Sequence, residues 1–557
     1  MGIPSFYRQL CRRFPTLITK GVGAPPEWFC LDFNCAMYHV LHTMEPVGDD
    51  TKAWESKFCK AIAAYMEEII VRVAPTKGIY VSCDGAVCAA KRRQQRLRRF
   101  KGPWAAKMEA QITGKPVDPN KWDQNALTPG SAFMAELGGV LVAAGARVQK
   151  QRGVPVVVST TAEAGEGEHK LLAHMRLVRP VTCAIYGLDA DLILLAMLLG
   201  ADTGADVRLV REAQEFETAP RGAVTIGATS VATIETAPRG AVGATGVATI
   251  ETARGAVGQK SQGQKSQGQW RSLTIAGLTK AILGSADADA KAQVRDFVAA
   301  MSLLGNDFLP RSLTHTVRDD GIPELIAVLR AHVWSAQKRF VNAEGISRDG
   351  LLAVMQAWAA EEERDLVTAG ITGRKCAGRH PGVGATPEET ALREWNAQPA
   401  RWATVSKILD PLDQNRLKTT WPAIYKSWHP GSAADYVRGV AWVWDYYSGK
   451  QVDQSWFFDQ HLPPLWSDVA AHLKTMGTVT APPVQYPTPL PDWLHLLAVL
   501  PADSVSLLLP PKAQRRMAQV PYYWPSSWSV YDVGKTQLWE CEPVIPVIPE
   551  KVLRSWM

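Results

Sequence analysis

Seven acidic residues, Asp32, Asp84, Glu166, Glu168, Asp189, Asp191 and Asp307, stand where strand-like runs end or helix-like runs begin or end. Their settings are LDFN, SCDG, GEGEHK, GLDADL and GNDF. Carboxylate oxygens in such numbers suit hard divalent cations, Mg²⁺ or Mn²⁺. Two such ions held about 3.5–4 Å apart can activate water and stabilise a departing oxygen in phosphodiester cleavage. Taken singly, each acid reads more simply as a cap or turn former. Seven in equivalent settings are harder to explain that way. Glu166 and Glu168 would point about 200° apart on one helix, so they converge only if Glu166 lies in the turn before it, and the same holds for Asp189 and Asp191. His169 reads as a supporting or structural residue rather than a ligand. No Ser/His/Asp or Cys/His nucleophile arrangement is discernible.

Behind Asp84, seven Lys or Arg residues and no acid run from Lys91 to Lys101. In a helix Lys91, Gln95, Arg98 and Arg99 share one face, which could hold a terminal phosphate through charge-assisted hydrogen bonds. Arg92, Arg93 and Arg96 fall elsewhere, on solvent or along a strand's backbone, and are expected to tolerate substitution better. A charge run alone is more often a solvated helix face. Its place directly after Asp84 favours a phosphate receptor that fixes which bond is cut.

These residues need a frame that brings them together. EWFCLDFN, GIYVSCDG, VPVVVSTT and VTCAIYG read as strands, each followed by a helical pattern. Such alternation predicts an α/β fold with a mostly parallel sheet flanked by helices, whose ligands gather at the carboxyl ends of the strands. Residues 3–14 predict a short opening helix, and RDFVAAMSLLGNDFLP a helix stopped at Gly305. ETAPRGAV at 217 recurs at 235 and, as ETARGAV, at 251, so 217–269 reads as a low-complexity insertion in a domain spanning 1–365. A polar, glycine-rich stretch makes 366–394 a linker or mobile loop. Thirteen of the twenty tryptophans follow residue 390, which makes 395–557 a second, largely helical lobe with an aromatic core. A minority of those rings are candidates for base stacking.

The net charge of +7 on 557 residues is modest, so it matters only where it is concentrated. Nine scattered cysteines without a CxxC pair exclude a disulfide framework and a zinc cluster, and point to a reducing compartment. The charged N-terminus is no signal peptide, and no run reaches the roughly 20 apolar residues of a membrane span. A soluble intracellular protein is expected, cytoplasmic rather than nuclear.

The segments MGIPSFYRQLCRRFP, LDFNCAMYH, DGAVCAAKRRQQRLRRF, WDQNALTPGSAFM, GEGEHK, YGLDADLILLAMLL and LLGNDFLPR together resemble the core of the Xrn-type 5′→3′ exoribonucleases. YVRGVAWVWDYY, SWFFDQHLPP, PLPDWLHLLAVLP and PVIPEK resemble that family's second region. The resemblance implies a PIN/flap-nuclease-like core in which the seven acids bind two Mg²⁺ ions. It also implies that Lys91, Gln95, Arg98 and Arg99 form a pocket for a 5′-monophosphate on single-stranded RNA. The family stacks the first base between a His and a Trp. Here Tyr38 stands at the aligned position with His39 beside it, and Trp456 is the candidate for the other half. Ending where the family's core ends, the chain is expected to be a compact, monomeric member of the kind a virus would encode. A structure-specific flap or DNA 5′ nuclease, and a catalytically silent RNA-end-binding protein, are the rival expectations.

Overall fold

A computed structural model describes residues 6–117, 122–187, 189–213, 270–284 and 288–557. Its centre is a seven-stranded sheet built from β1 (Ile18–Lys20), β2 (Trp28–Asp32), β3 (Gly78–Ser82), β4 (Val156–Ser159), β5 (Thr182–Tyr186), β6 (Asp206–Glu212) and β7 (Trp270–Thr274). The order is β1-β7-β6-β5-β2-β3-β4, with β4, β3, β2, β5 and β6 parallel and β7 and β1 added antiparallel at one edge. The mostly parallel sheet flanked by helices is the one expected. Edge strands β1 and β7 were not anticipated: they are three and five residues long and pair across more than 250 residues of sequence.

The helices that carry site residues follow the strands. They are α1 (Phe6–Arg13), α2 (Asn34–Thr43), α3 (Thr51–Val73), α4 (Ala89–Thr113), α5 (Ala132–Arg152), α6 (Gly167–Val178) and α7 (Asp191–Thr203). Every residue of β3 is buried, and α7 is buried nearly all round, as expected of a parallel sheet covered on both faces. β2 lies between β3 and β5, so the chain winds one way into β3 and β4 and the other way into β5 and β6. Crevices open at the carboxyl ends of strands at such a reversal. Asp32 pairs in register with Ser82, and Leu31 with both Val81 and Tyr186, so these three strands end level with one another.

The structure bears on two expectations about domains. No linker occupies 366–394: one helix runs unbroken over Arg348–Ala377 and another spans Pro387–Asn396. The glycines that suggested a loop serve packing, since a Cβ on Gly370 would come within 2.8 Å of the Leu409 side chain. One core also crosses the boundary expected between the two lobes. A single apolar cluster takes in Phe6 and Leu10 of α1, most of α7, and Trp442, Val469 and Leu473 from the region expected to be a separate lobe. That region is largely helical, with one two-stranded hairpin, Ser529–Tyr531 against Glu542–Val544. Among the described residues no helix is long and apolar enough to cross a membrane.

The expected insertion 217–269 lies outside the described residues. Its flanks are informative, because Glu212 and Trp270 are partners in the β6–β7 register. A two-residue Asn-Gly turn can join antiparallel neighbours of this kind. Replacing 213–269 by such a turn is expected to leave Tm and RNA decay close to those of the full chain. Loss of folding in a thermal melt would contradict it.

Candidate metal centre and basic helix

The level strand ends converge the acids. Asp32 closes β2 and Asp84 lies two residues beyond β3, where its Oδ1 accepts the Gly167 amide at 2.7 Å. Gly167 opens α6 in the gap between them: a Cβ there would meet Asp32 Oδ1 at 3.0 Å and Asp84 Oδ1 at 3.3 Å. The lack of a side chain therefore lets the helix start reach both carboxylates. Glu166 sits just outside the helix in extended conformation and Glu168 in its first turn, which is how the two come together. The ligand atoms of Glu166, Glu168 and His169 lie within 4.8 Å of one another. Lys170 Nζ donates to the carbonyls of Thr160 and Glu163, 3.0 Å each, tying α6 to the loop after β4.

Asp189 lies beyond β5 and accepts the Ala190 amide at 2.7 Å, while Asp191 opens α7. Asp307 arrives from a tight turn in which Asn306 Oδ1 accepts the Phe308 and Leu309 amides at 2.9 and 2.8 Å. Mutual repulsion shows that the seven form one cluster. Burial and then Asp84 and Asp189 hold Asp32 well above the usual carboxylate range. Burial followed by Glu166 raises Asp84. Glu168 is raised by burial, Glu166 and Asp189, and Asp191 by burial, Asp307 and Asp189.

Lys91 stands in direct contact with two of these acids. Lys91 Nζ is 2.5 Å from Glu166 Oε2 and 2.7 Å from Asp307 Oδ2. Burial pulls the Lys91 pKa down, but Asp307 and Glu166 more than offset this and keep it charged. Among the described residues, both oxygens of Asp191, which is 1% exposed, and Oε2 of Glu168 have no hydrogen-bond partner. Orphaned buried carboxylate oxygens beside other carboxylates are costly unless a cation joins them. An all-oxygen donor set of this kind fits a hard divalent ion. Burial lowers the His169 pKa to about 4, so its imidazole is neutral, and it packs against Tyr446 at 4.2 Å with Nε2 unpartnered.

The face of α4 expected to meet a phosphate starts inside this cluster with Lys91. Further along, Gln95 is half-buried and Arg98 is exposed. Arg99 donates to Asn125 Oδ1 at 2.7 Å and, though lowered first by burial, feels the Tyr38 hydroxyl. Tyr38 is 37% exposed. His39 turns instead onto Tyr65, with the rings stacked 4.9 Å apart. Trp456 lies 4.9 Å from Trp442, beside the Gln454 carbonyl that accepts the Ala89 amide at the start of α4. Among the described residues no ring contact joins Trp456 to Tyr38 or His39. Sequence reasoning missed Gln94, which donates to Asp307 Oδ1, and Tyr446, which donates to Glu166 Oε1 at 2.7 Å. Both are ordinary helix residues whose partners lie more than 200 positions away.

The expectation that Arg92, Arg93 and Arg96 tolerate substitution better is corrected. Arg92 is buried in an ion pair with Glu550. Arg96 is 5% exposed and donates to the carbonyls of Ala498, at 2.6 Å, and Tyr523, with its guanidinium 4.4 Å from the Phe100 ring centre. Arg93 pairs with Asp459 at 3.5 Å and lies over Phe457. These residues pin α4 to the C-terminal region. Arg96→Ala is therefore expected to destabilise the fold by about 2–4 kcal/mol in denaturant melts, whereas exposed Arg98→Ala should change stability by under about 0.5 kcal/mol. Equal melts for the two would contradict the assignment.

The raised carboxylate pKa values also set a pH dependence. The native state binds these protons more tightly than the unfolded chain, whose carboxyls titrate near pH 4. The metal-free protein thus loses stability as pH rises from there through the native pKa values. Tm in chelator is expected to fall between pH 5 and 8. Asp191→Asn should flatten that fall and raise the metal-free Tm at pH 7, and a lowered Tm would contradict the reading.

Residues 1–213 match the family model described as XRN 5'-3' exonuclease N-terminus. Human 5'-3' exoribonuclease 1 is 24% identical, aligned over 100% of this chain and 34% of its own length. 5'-3' exoribonuclease 2 of Saccharomyces cerevisiae is 30% identical over 35% of this chain and 24% of its own. The chain spans about a quarter of the length of the exoribonuclease 2 relatives from Kluyveromyces lactis and Eremothecium gossypii. A solved structure of T5 D15 protein co-crystallised with metal ions overlaps 76% of the chain at 10% identity and a TM-score of 0.26, too low to carry an argument. The matched residues hold all five parallel strands and every acid of the cluster except Asp307, and it is this part of the chain that is similar to the XRN 5'-3' exonuclease N-terminus.

Proposed function

We propose that this chain is a 5′→3′ exoribonuclease that degrades single-stranded, 5′-monophosphorylated RNA to 5′-mononucleotides. The observation that carries the reading is Lys91: the helix bearing the basic face begins with an ammonium paired to Glu166 and Asp307 inside the carboxylate cluster. Reading the RNA end and cutting the first bond are thereby set on one rigid element. Arg98 and Arg99 follow Lys91 by seven and eight residues, on the order of 10–12 Å along the axis.

On this reading Gln95, Arg98 and Arg99 donate hydrogen bonds to the terminal phosphate, and a cap or triphosphate is excluded by bulk and charge. Tyr38, beside Arg99, offers a ring to the first base, with Trp456 the candidate for its other face. Asp32, Asp84, Glu166, Glu168, Asp189, Asp191 and Asp307 would hold two Mg²⁺ ions, or Mn²⁺. Such ions, when bound, supply water activation and stabilisation of the departing 3′ oxygen. Lys91 balances part of the acids' charge and keeps Glu166 and Asp307 in place. The unpartnered carboxylates weigh against a silent RNA-end-binding protein, which would gain nothing from burying them. The enzyme is read as an intracellular, cytoplasmic monomer.

Decay of RNAs ending in 5′-monophosphate, 5′-hydroxyl and 5′-triphosphate, measured in Mg²⁺, tests this. The monophosphate RNA should disappear fastest, and Asp189→Ala should slow it on the order of 10²–10³-fold. Equal decay of all three would remove the phosphate pocket, and full activity in the variant would remove the metal assignment. A preference for flap DNA would favour the structure-specific nuclease.

A further inference from the structure

We propose that Tyr446 is a positioning residue of the acidic centre: its hydroxyl fixes Glu166 for divalent-ion binding, so that the helix Ala433–Ser448 completes a site whose other parts lie mainly in residues 1–213. The proposal deepens the nuclease reading and rests on it for its kinetic consequence. Glu166 is 2% exposed and both of its oxygens are occupied, Oε1 by the Tyr446 hydroxyl at 2.7 Å and Oε2 by Lys91 at 2.5 Å. Lys91 also serves Asp307. The Tyr446 hydrogen bond is thus the contact that holds Glu166 without sharing it with a second acid.

The phenol is itself held from three sides. Trp442, one turn earlier on the same helix, stacks on it at 5.0 Å and 15°; His169 of α6 lies 4.2 Å away; Phe308, next to Asp307, meets it edge-on at 5.3 Å and 76°. These rings come from the three segments that bear Tyr446, Glu166 and Asp307. A shift of any one is passed to the hydroxyl, because aromatic packing of this kind leaves few alternative placements. A neutral donor is suited to the task, since it orients a carboxylate without cancelling the charge a cation needs. Tyr436, on the same helix, is a buried tyrosine whose hydroxyl has no partner and touches no acid of the cluster.

The test uses the full chain stripped of metal, with the Tm rise on Mn²⁺ addition and the steady-state decay of 5′-monophosphate RNA as readouts. Tyr446→Phe is expected to raise the Mn²⁺ concentration at the midpoint of the Tm rise and to lower kcat, each about tenfold, with KM unchanged. Tyr436→Phe, the same atom removed elsewhere on the helix, should leave both unchanged. In a Glu166→Gln background, Tyr446→Phe should move the Mn²⁺ midpoint no further, as expected of a residue that acts through Glu166. A wild-type midpoint and kcat in Tyr446→Phe, or an equal shift in the Glu166→Gln background, would overturn the proposal. If the wild-type chain left RNA intact, the nuclease reading would fall, while the Mn²⁺ midpoints would still decide the role of Tyr446.

Discussion

Seven carboxylates packed at one end of a sheet repel one another, and Lys91 pairs directly with two of them, Glu166 and Asp307. The surrounding architecture can be understood as the means of enforcing that unfavourable proximity. Parallel strands ending level supply Asp32, Asp84 and Asp189, and the starts of α6 and α7 supply the glutamates and Asp191. Helix N-termini carry partial positive charge, which offsets part of the repulsion at Glu168 and Asp191. The remainder is what a divalent ion relieves when bound, so the same strain that costs stability gives the site its appetite for cations.

α4 links this centre to the rest of the molecule. The face that enters the acids through Lys91 and Gln94 runs on to Arg98 and to Arg99 near Tyr38, while Arg92 and Arg96 are buried against the C-terminal region. Identical residue types thus do different work by their position along and around the helix. Because the residues proposed to read the RNA end and those that meet the acids belong to one helix pinned at its back, their separation is set by helix geometry rather than by a flexible loop. The aromatic helix Ala433–Ser448 adds a second brace from the opposite side.

Much of this was legible in the sequence because the governing patterns are local. β-branched runs ending in Asp, helix starts preceded by Glu, and a basic segment after Asp84 could be read within windows of ten or twenty residues. The seven acids were brought together by the rule that parallel sheets collect ligands at their carboxyl ends. What escaped was set by distant partners. The burial of Arg92 and Arg96 depends on Glu550, Ala498 and Tyr523, more than 400 residues away. Gly370 looked like a loop residue because nothing nearby announces Leu409. Trp442 and Leu473 close the same core as α1 and α7, a contact no local pattern encodes.

The central claim, that the carboxylate cluster is a divalent-cation centre from which α4 measures the RNA end, is tested most directly by anomalous scattering from crystals grown with Mn²⁺. The account predicts anomalous peaks among the oxygens of Asp191, Glu168 and the neighbouring acids. Crystals showing ordered carboxylates with no peak among them, or Mn²⁺ bound only elsewhere on the chain, would contradict it.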